Sequence, residues 1–297
     1  MDHESTTGVR YAPNFLYIGT SKAGSTWLFN ALALHPDVYL ASDKGLYYFD
    51  HHHENGDPWY LERFAGAHKQ TARGEISHSY LSSPETPGRI AAFNPDMRLL
   101  VCLREPAERA FSDYLDLVKN QQYAGSFEAA LDEVPRLRDR GRYATHLRRY
   151  FEAFPVNQLH IGLFDDLKED AQRYADGVFE FLGVEPLALS TAALAHRMPA
   201  GKPRSARLAL MAKSASRQTK RAGLHRLRSR VKRSVLVRQM LYRPFASDRP
   251  VMEAATEERL RAEFAEEVEA LDAMLGRPIS RRWRYRAVQP GPHPTNA

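Results

Sequence analysis

The chain has 297 residues, 43% of them hydrophobic, and carries 42 Lys or Arg against 36 Asp or Glu for a formal charge of +6. That content is ample for a packed core and excludes disorder as the global state. No apolar stretch approaches the ~20 residues of a membrane span, and the start, MDHESTTGVRYAPN, lacks the pattern of a secretory leader, so the expectation is a cytoplasmic protein.

The single cysteine, Cys102, rules out an internal disulfide framework. It lies in the run RLLVCL and reads as a buried strand thiol rather than a nucleophile. The positive charge is concentrated: residues 186–247 hold 15 Lys or Arg and no Asp or Glu, which leaves the remainder net acidic. No internal repeat is apparent, and the chain reads as one domain over residues 1–297. Residues 289–297 have the composition of a disordered tail.

In chain order, short apolar or β-branched runs predict strands over residues 14–19, 73–76, 98–103 and 158–164. Helical patterns follow three of these, over residues 25–34, 106–119 and 169–182, the last ending at Gly183. Near the C-terminus Leu260, Phe264, Val268, Leu271 and Leu275 form one apolar stripe closed by Gly276 and Pro278, which predicts a helix packed on the sheet. Alternating strands and helices imply a three-layer α/β sandwich of P-loop type, with a mostly parallel central sheet flanked by helices. Chemistry is then expected where strands run into helices, at residues 20–26, 77–80 and 104–112.

The first of these turns reads Gly19-Thr20-Ser21-Lys22-Ala23-Gly24-Ser25-Thr26. Backbone N–H groups, a helix dipole, hydroxyls and an ammonium can converge there on a phosphate-like anion, although small hydroxylated residues also make ordinary helix caps. A nucleoside triphosphatase would place its lysine after the last glycine and a metal-binding carboxylate at a strand end. Here Lys22 precedes Gly24, and the strand over residues 98–103 runs into Arg104. Ser112 follows Arg104 by eight residues, about two helical turns, and the two could form a second anion site. Alternatively Arg104 pairs with Glu105 or Glu108 and Ser112 is an ordinary helical serine.

Together Lys22-Ala23-Gly24-Ser25-Thr26 and the Arg104…Ser112 spacing resemble the sulfotransferases that use 3′-phosphoadenosine 5′-phosphosulfate. The stretches Tyr47-Tyr48-Phe49-Asp50, Trp59-Tyr60, Gly74-Glu75, RLLVCLREPAERAFSDYL and FEFLGVEP are similar to the heparan-sulfate-type sulfotransferase domain and its bacterial relatives. The resemblance implies that Lys22, Ala23, Gly24, Ser25 and Thr26 cradle the 5′-phosphosulfate, with Lys22 as a catalytic cation, and that Arg104 and Ser112 hold the 3′-phosphate. It also implies that Trp27 stacks near adenine, unless it is a core aromatic, and that Gly201, Lys202 and Arg204 belong to a late loop over the phosphates. No metal is implied.

The chain departs from the family where heparan-type enzymes carry a catalytic glutamate after a lysine. Lys44 is followed here by Gly45, which can take no proton. In cytosolic members a histidine after the third strand is the base, and His78 holds the corresponding place; its other reading is a supporting or helix-capping histidine. Asp43, Asp50 and Glu75 are the remaining carboxylates nearby, and Ile76 stands where those members have a second lysine. His51-His52-His53, adjacent and followed by a turn sequence, do not have the convergent spacing of metal ligands.

The expected activity is sulfuryl transfer to a hydroxyl, less readily an amine, of a carbohydrate, lipid-linked or natural-product acceptor. The alternatives are a non-catalytic anion-binding relative or a kinase. Residues 186–247 read as a basic helical excursion or lid, a trap for an anionic acceptor, or a peripheral membrane-surface helix. Nucleic acid is not expected, because no recognised binding fold accompanies the charge.

Overall fold

The computed structural model describes residues 11–41, 44–194, 201–203, 242–244 and 250–285. Asp43, Arg204, most of the basic stretch and residues 289–297 lie outside the described residues.

In chain order the elements are β1 (Phe15–Gly19), α1 (Ser25–Leu32), β2 (Val38–Leu40), α2 (Tyr48–His51), α3 (Gly56–Glu62), β3 (Ala72–Ile76), α4 (Thr86–Phe93), β4 (Arg98–Leu103) and α5 (Pro106–Lys119). There follow α6 (Phe127–Glu133), α7 (Arg136–Asp139), α8 (Tyr143–Ala153), β5 (Leu159–Leu163), α9 (Phe164–Glu169), α10 (Ala171–Leu182) and α11 (Thr191–Leu194). Last come β6 (Gly201–Pro203), β7 (Tyr242–Pro244), α12 (Ala254–Leu275) and α13 (Ile279–Arg282).

Strands β1 to β5 form one parallel sheet in the order β2-β3-β1-β4-β5. Every residue of β1 is buried, as expected of a central parallel strand covered on both faces. Side chains alternate between two cores. Leu16, Ile18, Leu99, Val101 and Leu103 face one that includes Ala107, Leu147, Leu260 and Phe264. Phe15, Tyr17, Leu100 and Cys102 face the other, with Trp27, Leu28, Val178 and Phe179. Cys102 is 1% exposed, and burial pushes its thiol up to about 12, which leaves it unreactive.

Three expectations are corrected. Strand β2 was missed because its three residues, paired with β3, are too few for a period of two to register. The helix expected over residues 169–182 begins at Ala171: Asp170 is extended, with φ −145°, and its carboxylate accepts from Arg173 N at 2.9 Å. The C-terminal helix is longer than its apolar stripe, starting at Ala254; it lies against α8 and α5 and buries Leu260, Phe264, Val268 and Leu271 in the core that one face of the sheet lines.

Tight ends fix where the loops leave the sheet. Gly183 and Gly276 close α10 and α12 in the left-handed conformation, at φ 70° and 61°. Pro106 opens α5, and the Glu105 side chain accepts from the N–H groups of Ala107 and Glu108. Glu105 also accepts from Tyr285 Oη at 2.6 Å, so the chain after α12 is anchored at the start of α5.

Candidate functional site

The carboxyl ends of β1, β3 and β4 converge, and the three loops leaving them carry the polar residues that matter. Between β1 and α1 the backbone is left-handed at Lys22, φ 67°, and at Gly24, φ 84°. Such alternation turns successive N–H groups toward one concavity. No side chain caps α1 among the described residues, so its first N–H groups face outward with the positive end of the helix dipole. The left-handed backbone at position 24 favours glycine, and a Cβ there would also require Leu167 Cδ2, 2.5 Å away, to shift.

The loop is held from beneath and from the side. Thr20 N donates to Cys102 O at 2.9 Å, Tyr17 Oη donates to Thr20 O at 2.9 Å, and Arg104 Nη1 donates to Lys22 O at 3.2 Å. Ser21 Oγ is buried without a hydrogen-bond partner among the described residues. A pre-shaped cradle, an uncapped helix N-terminus and an unpaired buried hydroxyl together fit a multiply charged anionic group.

Among the described residues, three cations lie at the loop. Lys22 Nζ lies 3.2 Å from Asp116 Oδ1 on α5. Arg104 pairs with Glu108 at 3.0 Å, the partner anticipated for it, and lies over the Phe164 ring at 5.0 Å. These pairs are partly exposed and hold their cations only weakly against a better anion. The third cation, Lys44, was not assigned to the site from the sequence. Its Nζ donates to Ser25 Oγ at 3.0 Å and Thr26 Oγ1 at 2.6 Å. Burial, then the Lys22 charge, lowers its pKa to about 8. Lys44 thus places a second ammonium beside the loop.

Ser112 is half-buried on α5, and strand β6, which carries Gly201 and Lys202, packs beside the same helix. Trp27 is 6% exposed, donates through Nε1 to Ala193 O at 3.1 Å and meets Tyr174 edge-on at 6.1 Å. That is the setting of a core aromatic, whereas stacking on a base requires an open ring face. His51 closes α2, and His53 begins a 3₁₀ turn through Asn55. No group of three metal-ligating side chains occurs among the described residues.

His78, directly after β3, is half-buried. Its Nε2 lies 2.8 Å from Tyr47 Oη, and its Nδ1 is buried without a partner among the described residues. Burial first, then the charges of Arg140, Lys44 and Lys22 against Asp113, lower its pKa to about 4. It is therefore neutral across the physiological range. Arg140, at the end of α7, reaches this region while bridging to Asp113 at 3.5 Å. Asp50, by contrast, is consumed structurally: its carboxylate accepts from His51 N and from Ser79 Oγ.

Glu75, 1% exposed, accepts from Ser77 Oγ at 2.6 Å, Tyr80 Oη at 2.7 Å, Leu46 N at 3.2 Å and Tyr60 Oη at 3.3 Å. Ser77 Oγ in turn accepts from Tyr47 N at 3.0 Å, so this carboxylate pins the turn at residues 45–47. Burial outweighs those four bonds and raises the Glu75 pKa from 4.5 to about 7. The folded state consequently retains a proton that the unfolded chain has lost, so this group's contribution is most favourable below pH 4.5 and declines as pH rises to 7. Relative to Glu75→Gln, wild-type stability should fall by up to roughly 3 kcal/mol across that window. Paired denaturant melts with a pH-independent difference would show that the carboxyl titrates normally.

The fold is a parallel α/β sheet with a left-handed, glycine-containing loop after β1 and an arginine at the end of β4. The chain belongs to the sulfotransferase domain family, whose model matches residues 12–236. It is 32% identical over 192 residues to mouse (Mus musculus) heparan sulfate glucosamine 3-O-sulfotransferase 5, covering 60% of this chain and 55% of that protein. It is 35% identical over 105 residues to the membrane-associated sulfotransferase kil1 of Dictyostelium discoideum, covering 34% of this chain and 22% of that one. The chain thus matches about half, or less, of these relatives. Among solved structures, a sulfotransferase from Alicyclobacillus acidocaldarius superposes with a TM-score of 0.68 at 25% identity, over 92% of this chain and 99% of that one. The family resemblance and the fold expected from the sequence are both met.

Proposed function

We propose that the protein is a sulfotransferase that moves the sulfuryl group of 3′-phosphoadenosine 5′-phosphosulfate to a hydroxyl, most readily that of a carbohydrate. The observation that carries the reading is the uncapped, glycine-shaped start of α1, with Lys22 in the loop before it and Lys44 hydrogen-bonded to its first two side chains. The donor supplies an activated sulfuryl group whose leaving group is a phosphate.

The chain supplies position and charge. The α1 N–H groups, Ser25 and Thr26 hold the phosphosulfate, and Lys22 and Lys44 offset the charge that develops on the bridging oxygen. Arg104 and Ser112 take the 3′-phosphate, and Gly201 and Lys202 are assigned to its border, a reading supported by the contact of their strand with α5. The glycan acceptor is supported by the names of the heparan sulfate relatives, and a surface-bound acceptor by that of the Dictyostelium protein. No helix among the described residues is long and apolar enough to cross a membrane.

Calorimetric titration with 3′-phosphoadenosine 5′-phosphate (PAP), against Mg·ATP, tests the donor assignment. Tight binding of PAP with none of Mg·ATP is expected, and the reverse preference would make the protein a kinase. Incubation with ³⁵S-labelled donor and a panel of hydroxyl acceptors then separates an enzyme from a non-catalytic relative, which would bind PAP and transfer no label.

A further inference from the structure

The space that a side chain at position 45 would enter is already filled. Gly45 has φ 81°, and a Cβ on it would lie 2.6 Å from Tyr47 Cε2 and 2.8 Å from Tyr47 Cζ. Tyr47, itself left-handed at φ 53°, folds its ring back over Gly45 and points its hydroxyl at His78. The Oη to Nε2 distance is 2.8 Å, and the two rings meet edge-on with centroids 5.5 Å apart. The other nitrogen of His78 is buried. An acceptor hydroxyl therefore cannot bond Nε2 without displacing Tyr47, and Tyr47 itself is half-buried.

We propose that Tyr47 and His78 act as one proton-accepting pair at the acceptor end of the site, with Tyr47 Oη touching the acceptor hydroxyl and His78 Nε2 taking the phenolic proton. The proposal rests on the sulfotransferase reading. The acceptor O–H proton passes to Tyr47 Oη as the Tyr47 proton passes to Nε2. The acceptor oxygen bonds to sulfur, and the bond from sulfur to the bridging phosphate oxygen breaks with its electron pair leaving on the phosphate. The proton on His78 is then lost to solvent with the products. With Nε2 accepting from Tyr47, the single N–H of the neutral imidazole sits on Nδ1, which is buried without a partner among the described residues.

The charges facing the pair couple it to the donor. Burial first, then Arg140, Lys44 and Lys22, oppose a proton on His78, and Asp113 favours one. Burial, then Asp50 and Glu75, with Arg140 opposing, push Tyr47 up to about 12, so it is a neutral relay rather than a phenolate. Lys22 and Lys44 are also the cations that meet the phosphosulfate. Its negative charge cancels part of their repulsion, and His78 becomes a stronger base when the donor is in place.

The test compares Tyr47→Phe, His78→Gln and the double variant, none of which opens a large cavity. Transfer of ³⁵S-label is read both to water alone and to heparan sulfate oligosaccharides, with PAP affinity measured in parallel. Each single variant is expected to lose ~10²–10⁴-fold in kcat, and the double variant no more than the worse single one. PAP affinity should stay within about threefold of wild type in all three. Near-normal turnover of Tyr47→Phe, losses that multiply in the double variant, or a wild-type protein that binds PAP but transfers no label would each overturn the pair. A wild-type protein that binds no PAP would instead overturn the sulfotransferase reading, and the pair's role with it.

Discussion

Lys44→Met is expected to lower kcat by ~10²–10³-fold, the loss that follows removal of one pre-positioned donor to a developing charge. The ammonium is held on Ser25 Oγ and Thr26 Oγ1 at the mouth of the cradle, so it need not reorganise during transfer. Its folded pKa, lowered to about 8, adds a second signature. The free enzyme loses this charge as pH rises through 8, so kcat/KM should decline there. The limb in kcat should lie higher, because bound donor restores the charged form. Single-turnover measurements of Lys44→Met at wild-type rate, with the alkaline limb unchanged, would assign the charge to Lys22 alone.

Arg104→Ala is expected to weaken PAP binding by about 1.5–3 kcal/mol, or roughly 10- to 150-fold, the range for hydrogen bonds to a charged group. Two routes lead to that loss. Arg104 could hold the 3′-phosphate directly, or it could act through its bond to Lys22 O, which helps shape the cradle. Adenosine 5′-phosphosulfate, which lacks the 3′-phosphate, separates them. Direct contact leaves its affinity unchanged in Arg104→Ala, whereas an equal loss for both nucleotides would place the effect in the loop. Arg104→Lys should recover only part of the PAP affinity, because an ammonium cannot reproduce the planar fork.

The candidate residues that the sequence singled out share one property, which is that they are close along the chain. Lys22, Gly24, Ser25 and Thr26 lie in the loop after β1 and the first turn of α1, while Arg104 follows β4 and Ser112 lies on α5, so local spacing alone drew attention to them. What could not be read lies in loops without periodicity. The Tyr47 to His78 contact spans 31 residues. Lys44 reaches Ser25 and Thr26 across 19 and 18 residues. Arg140 stands at the end of a four-residue helix with no sequence signature of its own. His78 was found by its place after β3, but its depressed pKa and its engagement by Tyr47 depend on burial and on charges from other elements.

The amino-acid sequence alone determined the layered α/β architecture, because central parallel strands must be apolar on both faces and their helices amphipathic. It also carried the expectation of an anion-holding turn, because Gly24 tolerates the left-handed backbone such a turn requires. Tertiary structure decided what glycine at position 45 means. In the sequence Gly45 is an absent carboxylate. In the fold it is room for the Tyr47 ring, since a Cβ there would meet that ring at 2.6 Å. Which side chain fills a given volume is settled by packing between segments that the chain order keeps apart.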